Sequence, residues 1–291
     1  MPIKKILIAV RGSETSRSTI GTGLLLAATL KAHAEVLHVL ADPLHAVPAF
    51  GDGMTGRMAD QLVSISEKDV AERAKLARRM FDQYCTGHQV PVVTGKPPAG
   101  EFSATWVEKV GYADALMRRR GRLADMIVLG KPTFKPRLAT SMTAQAGLFE
   151  TGRPVLIAPP ETPKGDIGRN IAIAWNGSAE ASRAVAAATN FFGAAEKVTV
   201  LTAESERTPA EAAQELADYL SLHGVRAETR IFAHMADKPL GGAALLKACD
   251  DVGADLLVMG AFIAGGFREL IMGNATQQVL SEATIPVLMG H

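Results

Sequence analysis

The chain has 291 residues, 31 Lys and Arg against 30 Asp and Glu, and a hydrophobic share of 47%. A balance this near neutral leaves no global field to draw in nucleic acid or an anionic membrane. No apolar stretch approaches the ~18 residues of a membrane-crossing helix.

The opening MPIKKILIAVRGS pairs two lysines with a short apolar run. The run is too short for a signal peptide and no small-residue cleavage site follows, so it reads as a first buried strand. In the first half, strands are expected at Ile6–Val10, Glu35–Leu40, Gln89–Thr94, Met126–Leu129 and Pro154–Ala158. Helices are expected near Ser16–Ala32, Arg57–Cys85, Tyr112–Arg120 and Leu138–Glu150. Apolar runs without polar alternation suit strands buried on both faces of a parallel sheet. Within these elements His38 reads as a satisfied core histidine. Leu62, Ile65, Val70 and Leu76 form an amphipathic face for the sheet, and Trp106 sits in a loop before a helix. The stretch Asp42 to Arg57, with His45 and Phe50, reads as a surface loop or as a lid over the carboxyl edge.

Prolines 159, 160 and 163 then break the pattern and mark a short, stiff linker. Beyond it, strands are expected at Ile171–Trp175, Lys197–Thr202, Arg226–Phe232, Asp255–Met259 and Pro286–Met289. Helices are expected near Glu180–Phe192, Pro209–His223, Gly241–Val252 and Glu269–Ser281. Cys85 and Cys249 fall in helices at unrelated places, which argues against a disulfide framework and for a reducing cytoplasm.

The halves repeat each other. ILIAVRGS (6–13) answers to IAIAWNGS (171–178), ADMIVLG (124–130) to ADLLVMG (254–260), and RPVLIAP (153–159) to IPVLMG (285–290). Two α/β domains follow, 1–160 and 161–291. Alternating strands and helices imply right-handed crossovers and doubly wound sheets, which bind ligands at the carboxyl ends of their strands.

Two places there carry candidate chemistry. The turns Arg11-Gly12-Ser13 and Asn176-Gly177-Ser178 follow the first strand of each half. A tight turn with Ser13, Ser16 or Ser178 as a helix cap explains the Gly and Ser but not a polar residue directly after a buried strand. Asn176 is therefore a candidate ligand contact. The second place is Gly260 to Thr276, with Gly265, Gly266, Arg268 and then Gly273-Asn274-Ala275-Thr276 at a helix. It reads either as a flexible loop or as a phosphate cradle of backbone amides at a helix amino end.

On these residues the chain resembles the universal stress protein family in its tandem form. The resemblance implies five-stranded parallel sheets of order 3-2-1-4-5 that pair through their fifth strands as an intramolecular pseudo-twofold dimer. Some members bind ATP through a pattern of Gly, two residues, Gly, nine residues, Gly, then Ser or Thr. Here Gly260 and Gly273 match, whereas Ile263 and Asn274 depart from it. The family's strand-one aspartate corresponds to Asn176, and Ala174, Trp175 and Leu201 fall where adenine contacts are made. In the first half that aspartate corresponds to Arg11, and Gly130 is followed by Lys131, Pro132, Thr133, Phe134, Lys135, Pro136 and Arg137. Proline has no amide to offer. The cations could hold an anion as side chains, but this half reads as structural or partner-binding.

The expected function is a cytoplasmic stress-response protein that binds ATP, with magnesium, in its second half and does not catalyse. The other reading is a nucleotide-independent interaction protein, and either is compatible with a further homodimer. There is no GxxxxGK[ST], no GxGxxG after a first strand and no GxSxG, and no histidine or cysteine spacing suggests a metal. His234 and Asp237 form a weaker candidate pair at the carboxyl edge.

Overall fold

The computed structural model describes residues 1–41, 56–132, 142–203, 209, 211–232, 241–261, 263–264 and 271–291, with backbone alone for 56–63, 263–264, 271–272 and 274. The expectations for 42–55, 133–137, His234, Asp237, Gly265, Gly266 and Arg268 lie outside the described residues.

In the first half the order is β1 (Lys5–Val10), α1 (Thr15–Thr29), β2 (His33–Leu40), α2 (Gly56–Gly87), β3 (Ser103–Val110), α3 (Ala113–Gly121), β4 (Met126–Leu129), α4 (Met142–Phe149) and β5 (Val155–Ile157). The second half runs β6 (Asn170–Ala174), α5 (Ala179–Phe192), β7 (Lys197–Ala203), α6 (Glu211–Leu222), β8 (Glu228–Phe232), α7 (Gly241–Asp251) and β9 (Leu256–Gly260). It closes with β10 (Ile263–Ala264), β11 (Ile271–Met272), α8 (Asn274–Glu282) and β12 (Val287–Gly290).

Ten strands form one sheet of order β3-β2-β1-β4-β5-β12-β9-β6-β7-β8. Each half therefore has the expected order, and all pairings within this sheet are parallel except one. The exception is the seam, where β5 and β12 run antiparallel with Val155 opposite Met289, Leu156 opposite Leu288 and Ile157 opposite Val287. Alternation carries the seam's side chains to both faces. Leu156 and Leu288 enter the core under α1, α2, α5 and α6. Val155, Ile157, Val287 and Met289 enter the core under α3, α4, α7 and α8. Both cores thus run through the two halves without a break.

The repeated Asp of the two AD motifs has a backbone task. Asp125 accepts the amides of Lys4 and Lys5, each at 2.9 Å. Asp255 accepts those of Gly168 (2.7 Å), Arg169 and Asn170 (both 3.0 Å). Each carboxylate ties the start of its half's first strand to the start of the fourth.

Four expectations fail for local reasons. Gln89–Thr94 is not a strand but makes a single bridge, Val92 to Ala104, because Pro91 lacks an amide for a ladder. The third strand is Ser103–Val110, which places Trp106 in the sheet against His38 and Phe81 rather than in a loop. Ile65 is exposed; among the α2 residues whose side chains are described, the buried ones, Ala77, Met80, Phe81 and Cys85, lie in the distal turns, and Leu62 lies outside that set. The helix expected at Glu269–Ser281 starts at Asn274, because Ile271–Met272 pairs with Ile263–Ala264 instead. His38 is a core histidine as expected, with Nδ1 3.1 Å from the carbonyl oxygen of Val10. Both cysteines are buried free thiols, and burial pushes Cys85 up to about 11 and Cys249 up to about 12.

One buried charge cluster makes a pH-dependent contribution. Glu35 on β2 is 7% exposed and pairs with Lys5, at 2.9 Å, and with Arg120. Burial pushes its carboxyl up, but hydrogen bonds from Arg120 and Lys5 and their charges outweigh burial and hold it below its ordinary value of 4.5. A lowered folded value means the contribution is present above about pH 4.5 and is lost as pH falls through that lower value. In thermal melts at pH 7 and pH 3, Glu35→Gln is expected to lower Tm at neutral pH and shrink the acid-induced drop. An unchanged drop would remove Glu35 from the acid response.

Candidate functional site

In the second half, β6 ends at Ala174 and the chain turns at Gly177, whose φ of +72° suits a residue without a side chain. Ser178 caps α5, its Oγ accepting the amide of Ala181 at 3.1 Å, as the sequence suggests. Asn176 is exposed, and its Oδ1 accepts the amide of Ser178 at 3.1 Å. That turn gives Asn176 a local reason to be polar.

Of the candidate residues, Ala174 and Leu201 stand side by side in the β6–β7 register. Both face the core under α7 and α8. Trp175 donates its amide to the carbonyl of Leu201 at 2.9 Å, but its side chain packs in the opposite core. Gly260 lies against the amino end of α5, where an added Cβ would stand 2.6 Å from the amide nitrogen of Ala181. Close packing of β9 on α5 is thus sufficient reason for this glycine.

Ile263 lies on extended backbone paired with Met272. This two-residue ladder returns the chain from β9 to Gly273, the N-cap of α8, which makes no side-chain cap. Asn274 and Ala275 form the helix's first turn, and Ala275 is exposed. The amino end of α8 packs on α7 so closely that a Cβ on Gly242 would lie 2.8 Å from the carbonyl oxygen of Ala275. Ala174, Leu201, Gly260 and Gly273 therefore belong to one carboxyl edge, with Trp175 turned away. Among the described residues, no group of three or more metal-ligating side chains occurs.

The corresponding edge of the first half holds a cavity of about 500 Å³. Its apolar side is Ala9, Leu37, Val39, Met117 and Leu129, from β1, β2, α3 and β4. Its polar side includes Arg11, Ser13, Thr15, Lys131 and Thr143. Here the turn is closed by Ser16, whose Oγ accepts the amides of Ser13 (3.1 Å) and Arg11 (3.4 Å), rather than capping α1. Gly12, at φ +68°, lets the backbone of Arg73 on α2 close over the turn. Burial lowers Lys131 from its ordinary value against a smaller opposing pull from Glu282, and its Nζ lies 3.4 Å from the carbonyl oxygen of Ala283, at the end of α8. The sequence shows the cations but not the cavity, because Leu37, Val39 and Met117 reach it only through the fold.

No helix among the described residues is long and apolar enough to cross a membrane. Residues 168–291 match the model of the Universal stress protein family. The whole chain is similar in fold to a universal stress protein from Archaeoglobus fulgidus DSM 4304, at 13% identity and TM-score 0.65, over 98% of this chain and 97% of that one. It is also similar to a protein from Pseudomonas aeruginosa PAO1 described as functionally unknown, at 14% identity and TM-score 0.56, over 98% and 92%. A search of curated proteins finds no match. The second half of the chain thus carries the sequence pattern of the universal stress protein family, and the whole chain has the fold of a solved universal stress protein.

Proposed function

We propose that this is a stress-response protein of the cytoplasm, built of units 1–160 and 161–291, that holds ATP in the second unit and acts by binding rather than turnover. The observation that carries this reading is the β10–β11 ladder. It returns the chain so that Gly273 and the uncapped first turn of α8 follow Gly260 at the same edge as Ala174 and Leu201. A helix amino end offers unpaired amides and a favourable dipole to a phosphate. Ala174 and Leu201 supply apolar surface for a base, and Asn274 stands at the helix start. Magnesium would come with the phosphates. Binding would favour one arrangement of the Gly260–Gly273 segment over another and so serve as a signal.

Titration calorimetry with ATP and magnesium, together with mass spectrometry of small molecules released on denaturation, tests this. Micromolar affinity or co-purified adenine nucleotide is expected, and Gly273→Val should remove the binding. Unchanged affinity in that variant would place the site elsewhere. A nucleotide-independent interaction protein is the competing reading. Two observations favour it: Ile263 where the ATP pattern has glycine, and the engagement of Asn176 Oδ1 within its own turn. Absence of both heat and released nucleotide would select it.

A further inference from the structure

We propose that the cavity in the first half binds a small organic anion, a compact apolar body bearing one carboxylate or phosphate. This site is separate from the one proposed for ATP, and its polarity is reversed. The second half has Asn176 after its first strand and Ala261 after Gly260, whereas the first half has Arg11 and Lys131 at those places.

The cavity, about 500 Å³, is the size of a small-molecule site. One side is apolar, with Leu37, Met117 and Leu129 each less than 5% exposed. The other presents Arg11 and Lys131, with the hydroxyls of Ser13 and Thr15 2.9 Å apart between α1 and the turn. Arg73, whose guanidinium pairs with Asp69 at 2.9 Å, adds a third cation to the lining. Glu14 is the one carboxylate among the described lining residues, so the charge of the lining favours an anion. Ser16 already takes the amides of Arg11 and Ser13, so the acid group is held by side chains rather than by a backbone nest. Arginine suits this task because its planar fork grips two acid oxygens. Lys131 sits over a helix carbonyl, a weak partner that a charged oxygen replaces with gain. A nucleotide is disfavoured here, since Pro132 has no amide to offer a phosphate.

Calorimetry on the full chain with phenyl phosphate, inorganic phosphate and benzyl alcohol tests the proposal. Phenyl phosphate should bind at least ~10-fold more tightly than inorganic phosphate, through its buried ring. Benzyl alcohol should bind more weakly than phenyl phosphate, for want of charge. Arg11→Gln and Lys131→Gln should each weaken phenyl phosphate about tenfold. Ala9→Leu, which fills the apolar side, should weaken it while leaving Tm near that of the parent. Gly273→Val should leave it unchanged. No binding of phenyl phosphate, or equal binding in Arg11→Gln and Lys131→Gln, overturns the site. Loss of phenyl phosphate in Gly273→Val with retention in Arg11→Gln would place the anion in the second half and also overturn it.

Discussion

Gly12→Ala is expected to destabilise the first half by on the order of 3 kcal/mol, whereas Gly177→Ala should cost only about 1 kcal/mol. Both glycines follow the first strand of their half, and both need a left-handed backbone, at φ +68° and +72°. The space around them differs. An added Cβ at Gly12 would meet the carbonyl oxygen of Arg73 well inside van der Waals contact, and that atom belongs to the backbone of α2. At Gly177 there is nothing within 4 Å. Alanine at 12 therefore forces α2 away from the turn, while alanine at 177 meets only its own conformational strain. Urea denaturation of the two variants measures the difference. Equal losses would show that α2 yields cheaply. Because α2 borders the cavity beside Arg11, Gly12→Ala should also weaken phenyl phosphate.

Asp255→Ala should cost about 3 kcal/mol, and Asp125→Ala about 2 kcal/mol. The first leaves three amides without an acceptor and the second leaves two. Half-buried donors stripped of a charged acceptor recover only part of what they lose from water. The Asn variants, which keep one carbonyl oxygen, should fall between parent and Ala. Denaturation midpoints decide the order. A larger loss at Asp125 than at Asp255 would show that the count of amides does not govern the effect.

The repeated sequence revealed the architecture because the strands of a parallel sheet buried on both faces are near-continuous apolar runs. Met126–Leu129 lies in the sequence as it lies in the sheet. The third strand of the first half was hidden for the opposite reason. Ser103–Val110 is an edge strand with exposed Glu108, Lys109 and Val110, and its polar residues imitate a loop. Gln89–Thr94 was the more apolar stretch, but Pro91 takes it out of the ladder. The AD motifs were visible as a pattern, while the carboxylate's grip on the first strand needed three dimensions. In the site, the glycine spacing points to Gly260 as part of a phosphate cradle, whereas packing against Ala181 is a sufficient cause for it. In the sequence a turn alone does not demand a polar residue at Asn176, but the hydrogen bond from the Ser178 amide does.

The antiparallel seam between β5 and β12 has a consequence for how the halves can diverge. In a dimer of identical chains, a substitution at one ligand site appears at both. Here the partner is held on the same polypeptide, so its effective concentration does not fall on dilution. A weakened seam would then still close at nanomolar protein, where a free dimer would come apart. Freed from that symmetry, the first half can carry Arg11 while the second keeps Asn176. One molecule can thereby present two carboxyl edges of different charge, in a fixed one-to-one ratio.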